Sequence, residues 1–530
     1  MRRLLLLFCC LSLSACISLS TGDGQSTGIT FVHLNDTYRV GAVEDGHAGG
    51  FSRVVTVIRD LKDQGRDVRI THGGDFLYPS LESSLWNGMQ MVDAMNFMDE
   101  LAPMYAVAGN HEFDRRAPKH LINAVKASQF DWIGDNYSLR TGDADVDAAL
   151  HSAFTFESGG RTVGIFSLSL HADDGGNDRD YVPVDKDYRG IAESVIKQFE
   201  SAGVDAIIGL THLHIWQDEE IARLRASHPK FVLIFGGHEH EPEHRALTEN
   251  SAAVMKGASN AREIWVVDLD FDTDGRPVIN ENRVRLDEQV ALDDDYEVLA
   301  TKWRSRLLET FPFLEATVGF AALPLDGREV TVRNEESNWG SFIADQMRGA
   351  FGSPGADLAF VNGGTLRLDD FVEDDIQFED IGRTFGFSSY LRFMTLTGAQ
   401  FRDVMQAGYR GFGPSKGYFP QVSGFRICVD RSRNEDDRIV SLQVPENGNW
   451  VEIDDEKEYS LVVPDFLYGG GDGYKLPNDR PASRPASELI YLVLDAVLDA
   501  QSRGEKVGWA INDENRRYHE LLESKQPCFE

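Results

Sequence analysis

The sequence predicts an α/β protein of two units joined by a mostly helical bridge. Three observations predict it. Apolar strand-like runs alternate with amphipathic helical stretches from residue 28 to about 285. Those runs end in glycine or polar residues, as strands do where an open sheet places its site. A second alternating series starts near residue 316. At 530 residues the chain is also too long for one ordinary core. Its 42% hydrophobic and 26% charged content are globular values. A formal net charge of −34 without a basic stripe argues against a nucleic-acid partner. An anionic small substrate would need local arginine or metal charge.

Residues 1–16, MRRLLLLFCCLSLSAC, read as an export signal. Arg2 and Arg3 form a basic start, and Leu4 to Leu13 an apolar segment too short to span a bilayer. LSAC resembles a bacterial lipoprotein box, which makes Cys16 the lipidated N-terminus and the membrane contact; an ordinary cleaved signal is the alternative. Ile17 follows, so an inner-membrane retention Asp is missing, and an outer-membrane anchor is expected in a Gram-negative host. The expected location is periplasmic or cell-surface. Residues 17–27 read as a tether. Of five cysteines, Cys9 and Cys10 leave with the signal, and Cys428 and Cys528 remain for an oxidising compartment. Whether they pair is open at this point.

In the first unit, VRITHGGDF, MYAVAGNHEFD, TVGIFSLSL, VDAIIGLTHL and FVLIFGGHEHEP are strand-then-loop segments. RVVTVIRDLKDQG, MVDAMNFMDELA, KHLINAVKAS and IAESVIKQFESAG are the helices between them. Continuous apolar strands with helical crossovers imply sheets covered on both faces. Turn-rich DTDGRP closes the unit, and residues 286–315 form the bridge. Residues 316–530 are the second unit, with strands ADLAFVNGG and YSLVVPDFL and helix NWGSFIADQMRGAF.

Polar residues gather at the strand ends. Asp36 follows the first strand and Asp75 the second; GNHEFD supplies Asn110, His111 and Asp114; His212, His238 and His240 follow. Asp, Asn and His suit a pair of borderline divalent metals. The order resembles the calcineurin-like metallophosphoesterases. VNGGTLR, QVSGFR and DFLYGGGDGY in the second half resemble the C-terminal domain of 5′-nucleotidases and UDP-sugar hydrolases. The chain is therefore similar to the bacterial 5′-nucleotidase / UDP-sugar hydrolase family. The resemblance implies a four-layer αββα metallophosphoesterase domain over residues 28–285, a helical linker, and a C-terminal α/β nucleotide-binding domain.

It also implies roles. Asp75 would bridge two metal ions, divalent or mixed-valence Zn, Mn or Fe. Asp36 and His240 would hold the first, and Asn110, His212 and His238 the second. An activated water would attack phosphorus. His111, oriented by Asp114, would stabilise charge on the phosphoryl or leaving group. Phe387 and Phe466 would clamp a nucleobase, Arg333, Asn362 and Arg367 would face the phosphate, and Asp472 the ribose. The loop around Phe387 departs from the family, whose loop reads Pro-Phe-Gly-Asn or similar: here it is GFSS, and Ser388 and Ser389 replace residues that help place the ring. The expected substrate is a nucleoside 5′-monophosphate, a nucleotide sugar or a cyclic nucleotide. Thiosulfohydrolases share the architecture and are one rival reading. A non-catalytic nucleotide-binding surface lipoprotein is the other.

One position breaks the pattern. The family has Asp-x-His where this chain has Asp36-Thr37-Tyr38. GDFLY places Tyr78 three residues after Asp75, which resembles the Gly-Asp-x-x-Tyr of purple acid phosphatases, where a tyrosinate binds iron. Tyr38 ligates, or Tyr78 does, or neither does and water or a residue such as His47 completes the site.

Overall fold

The computed structural model describes residues 28–177, 179–412, 416–477, 488–521 and 528–529. The expected signal, the Cys16 anchor and the tether lie outside them. Among the described residues no helix is long and apolar enough to cross a membrane.

Two six-stranded sheets build the first unit. One runs, edge to edge, Pro277–Arg285, Glu263–Phe271, Ile29–Leu34, Asp67–His72, Met104–Ala106 and Asp131–Trp132. The other runs Phe154–Ser158, Arg161–Ser169, Ala206–His212, Phe231–Gly236, Ala253–Lys256 and Glu243–Arg245. The central strands Ile29–Leu34, Ala206–His212 and Phe231–Gly236 are buried along their length because both faces are covered. Between the sheets Phe31 lies 5.6 Å from Phe235, ring to ring, and His33 stacks on Phe235 at 4.7 Å. Helices Phe51–Asp63, Met89–Leu101 and Lys119–Ala127 send Val54, Ile58, Met95 and Leu121 into the core of the first sheet. Helix Tyr188–Ala202 packs Ile196 and Phe199 with Ile207 and Phe231 on the outer face of the second. The order is helix, sheet, sheet, helix.

The bridge is the helix Asp294–Thr310. Asp293 caps it by accepting from Tyr296 N, and Asp294, Asp295 and Glu297 oppose the positive end of its dipole. Tyr296 rests on Phe51 and Phe97, and Trp303 on Trp86, so the helix belongs physically to the first unit.

The second unit has two four-stranded sheets. The inner one places Leu358–Asn362 between Glu458–Pro464 and Pro420–Ser423. Helices Asn338–Gly349 and Leu489–Ser502 cover one side through Trp339, Ile343, Val493 and Val497. Cys428 and Cys528 are joined as a disulfide, Cα to Cα 5.8 Å, which ties the C-terminus to strand Arg426–Asp430. The two units touch through charged side chains. Arg383 pairs with Glu82 at 2.8 Å, and Arg304 of the bridge with Glu379 at 2.6 Å.

Candidate dimetal site at the domain interface

The strands fix where the candidate ligands go. Ile29–Leu34, Asp67–His72 and Met104–Ala106 are parallel, as are Ala206–His212 and Phe231–Gly236. Their C-terminal ends therefore open on one side, and Asp36, Asp75, Asn110, His212, His238 and His240 follow them. Three of these turn sharply: Asp36, Asp75 and His238 have φ of 51°, 59° and 83°. Side-chain residues rarely adopt that region, and strain of this kind collects at functional sites. Gly109 shows the crowding. A Cβ there would lie 2.2 Å from Asp75 Oδ1.

The side chains converge in two groups. In the first, Tyr38 Oη lies 3.0 Å from His240 Nε2 and 3.4 Å from Asp36 Oδ1, and His240 Nε2 lies 3.5 Å from Asp36 Oδ1. In the second, His212 Nε2 lies 3.1 Å from Asn110 Oδ1 and 3.3 Å from Asp75 Oδ2, and His238 Nδ1 lies 3.3 Å from Asn110 Oδ1. Ligands about 2.0–2.2 Å from one ion stand roughly 3 Å or slightly more apart. Both groups have that spacing. Ligand atoms of Asp36, Asp75 and His212 also lie within 4.8 Å of one another. The residues present thus fit a pair of metal ions.

Charge agrees with the geometry. Burial pushes Asp36 up to about 7, and the neighbouring Asp75 adds to it. Burial would raise Asp75 too, but His212 and His111 outweigh it and hold it below the ordinary range. His212 rises to about 9 because Asp75 outweighs its burial. Burial, then Arg333, lowers His240 to about 4, so its imidazole is neutral and free to ligate. Two buried carboxylates thus compete for too little positive charge, a deficit that cations remove.

The surroundings hold these groups in place. His212 Nδ1 bonds to Gly73 O at 2.6 Å, which leaves Nε2 facing the site. Asn35 and the His238 N–H both donate to Asp36 Oδ2. Sequence reasoning missed three supports. Glu112 accepts from the N–H groups of Asp75, Phe76, Leu77 and Gly109, which fixes the bridging turn. Lys256, fully buried, pairs with Asp218 at 2.8 Å and with Glu239 between the two ligand histidines. Glu329, from the second unit, meets His240 Nδ1. Glu112 and Glu239 lie inside the quoted motifs GNHEFD and GGHEHEP, so their place beside the candidate ligands was the signal. Glu329 had none.

Geometry separates the two tyrosines. Tyr38 is in the first group. Tyr78 turns away: its hydroxyl donates to Asn87 at 2.9 Å and its ring lies under Arg115. His47 is exposed and pairs with Glu288 at 2.9 Å. Burial, with Asp75 and Asp36 behind it, raises the Tyr38 phenol well above its ordinary value, so without cations it keeps its proton.

His111 bonds to Asp114 at 3.0 Å through Nδ1, and its backbone N–H donates to Asp75 Oδ1. Arg367, from the second unit, reaches His111 Nε2 at 3.3 Å. Phe387 lies on His111 with ring centroids 5.6 Å apart, and Arg367 lies over Phe387 at 5.4 Å. Arg333 and Arg367 are buried, and Arg333 Nε with Arg367 Nε and Nη1 have no hydrogen-bond partner among the described residues. Asn362 donates to Asp472 at 2.7 Å. Phe466 is 51% exposed and lies so close to Gly471 that a Cβ there would stand 2.5 Å from the ring. The structure therefore groups Arg333, Arg367 and Phe387 with the candidate ligands, and Asn362 with Asp472. Phe466 stands open to solvent.

Two family models match. Residues 29–242 match the calcineurin-like phosphoesterases, and residues 317–479 the 5′-nucleotidase C-terminal domain. The chain belongs to the 5′-nucleotidase-type calcineurin-like phosphoesterases. It is a hydrolase of phosphoric monoesters. A trifunctional nucleotide phosphoesterase, YfkN of Bacillus subtilis, is 24% identical across 94% of this chain, which spans 35% of that longer protein. The 5′-nucleotidase of Bos taurus is 22% identical over 85% of each chain. The 5′-nucleotidase precursor of Thermus thermophilus superposes with a TM-score of 0.79 at 22% identity, over 94% of this chain and all of that one. The sulfate thiohydrolase SoxB has a TM-score of 0.70 at 14% identity, over 94% and 98%. At these identities the structural likeness concerns the fold.

Proposed function

We propose that this chain is an exported enzyme that hydrolyses nucleoside 5′-monophosphates, and nucleotide sugars or cyclic nucleotides in the same way. One observation carries the reading. Arg367 of the nucleotide unit reaches His111 of the metal unit, and Arg333 Nε and Arg367 Nε have no hydrogen-bond partner among the described residues of this carboxylate-rich interface. A phosphoryl group bound there would meet arginines from one side and the ligand cluster from the other.

Two ions, when bound, would supply Lewis acidity and an activated water. The chain's own groups do the rest. Asp114 holds His111 Nδ1, so Nε2 faces the phosphoryl group. Burial would lower His111, but Asp114 and Asp75 outweigh it and raise it, which favours the imidazolium. As the P–O5′ bond breaks, His111 Nε2–H stabilises or protonates the leaving oxygen. Arg333 and Arg367 balance phosphate charge, and Phe387 with Phe466 takes the base by stacking.

Tyr38 completes the first ion's site. A phenol with pKa near 10 suits Zn²⁺ or Mn²⁺ poorly, and a more acidic ferric ion offsets the deprotonation cost. Cys16 carries the lipid anchor, outer-membrane in a Gram-negative host. The purified chain with added divalent metal is expected to release phosphate from AMP-like substrates, and His238→Ala to abolish release. Unchanged release from the variant, or none from a protein holding two ions, overturns the reading. Against a thiosulfohydrolase, nucleotide addition should raise the Tm. Against a non-catalytic lipoprotein, elemental analysis should find two metals per chain.

A further inference from the structure

Glu329 belongs to the nucleotide unit but is spent on the metal unit. It opens the short helix Glu329–Val332 and is 2% exposed. One carboxylate oxygen meets His240 Nδ1, with Ser259 Oγ at 3.4 Å. The other accepts from Arg333 Nη2 at 2.7 Å and faces Arg367 Nη1 at 3.5 Å. Its backbone N–H donates to Asp369 Oδ1 at 3.1 Å. Asp369 in turn accepts from Asn260 at 3.1 Å, and Asn260 accepts from the Tyr38 backbone N–H at 3.0 Å. Both His240 and Tyr38 are thus tied to the second unit, through Glu329 and Asp369, which are themselves hydrogen-bonded. Among the described residues, no side chain of the second unit bonds directly to Asn110, His212 or His238: His212 bonds to Gly73 O, and Glu239 to Lys256, within the first unit.

The geometry points to Glu329 as a positioning residue that couples closure of the two units to retention of the first metal ion, a role that rests on the dimetal reading above. A carboxylate on the far nitrogen of a ligating histidine fixes its tautomer and raises its basicity. Here that carboxylate arrives with the other unit. Closure therefore strengthens the first site, and by reciprocity the first ion favours closure. The same carboxylate fixes Arg333, so phosphate-binding charge and metal-binding charge are set by one side chain.

The test uses the mature chain, stripped of metal and titrated with Zn²⁺ against a chromophoric chelator, with small-angle scattering in parallel. Wild type is expected to bind two ions and to compact as they bind. Glu329→Ala should weaken one site by about 10–100-fold, leave the other within about twofold, and lose the metal-dependent compaction. Glu329→Gln keeps an acceptor for His240 Nδ1, so it should recover part of the affinity; it also serves if the alanine variant does not fold. Wild-type affinity at both sites in either variant, or equal losses at both, overturns the inference while leaving the dimetal reading intact. Fewer than two sites in wild type overturns that reading instead.

Discussion

The two halves of the proposed metal site are held by different means. Asn110, His212 and His238 sit on strand ends whose supports are local: Gly73 O behind His212, and Lys256 behind the His238–His240 turn. Asp36, Tyr38 and His240 share a domain with them but lean on the other one, through Glu329 and the Asn260–Asp369 bond. One half is a finished part of its unit. The other is completed only when the units meet. Tyr38 lies in that second kind of half, beside His240 and, through Asn260, Asp369.

This difference can be broken from either side. Asn110→Ala should have the largest effect, because it removes a ligand from the self-contained half: elemental analysis should fall from two metals to one, with no measurable phosphate release. Tyr38→Phe should act on the other half alone. The aerobic wild-type protein is expected to show a visible phenolate-to-iron band that this variant lacks, while the second ion stays. A colourless, fully active wild type with two Zn²⁺ or Mn²⁺ would remove the ferric assignment.

Next in size is the pair that serves both halves. His111→Ala should lower kcat by about 10²–10³-fold with both metals retained. Asp114→Asn should cost about 10–100-fold. It should also shift the alkaline limb of the kcat profile to lower pH, since Asp114 helps keep His111 protonated. An unshifted profile would make Asp114 a purely structural neighbour.

The smallest effect concerns the seam itself. Burial would raise Glu379, but Arg383 and Arg304 outweigh it and bring it from 4.5 to about 2. A depressed carboxylate stabilises the fold above its unfolded value and stops doing so as pH falls through the folded one. The contribution is therefore whole above about pH 4.5 and lost between there and about pH 2. Thermal midpoints of metal-stripped protein should fall across that window in wild type and less in Glu379→Gln. Equal slopes would show that this ion pair does not set the seam's acid stability.

Much of this was legible in one dimension. The alternation of apolar runs and amphipathic helices, with polar residues at the run ends, determined the α/β class. GNHEFD and GGHEHEP brought the ligand types to their strand ends, because a parallel strand must turn there and a short motif can specify the turn. The choice between Tyr38 and Tyr78 was not legible: both lie near a ligand in sequence, and a rotation about one turn decides which hydroxyl faces the ligands and which faces Asn87. Nor was Glu329, 89 residues from His240 along the chain. Local sequence specifies what a segment does with its own backbone. Which carboxylate from a distant segment arrives at a histidine's far nitrogen is decided by how the two units pack together, and only the tertiary structure holds that information.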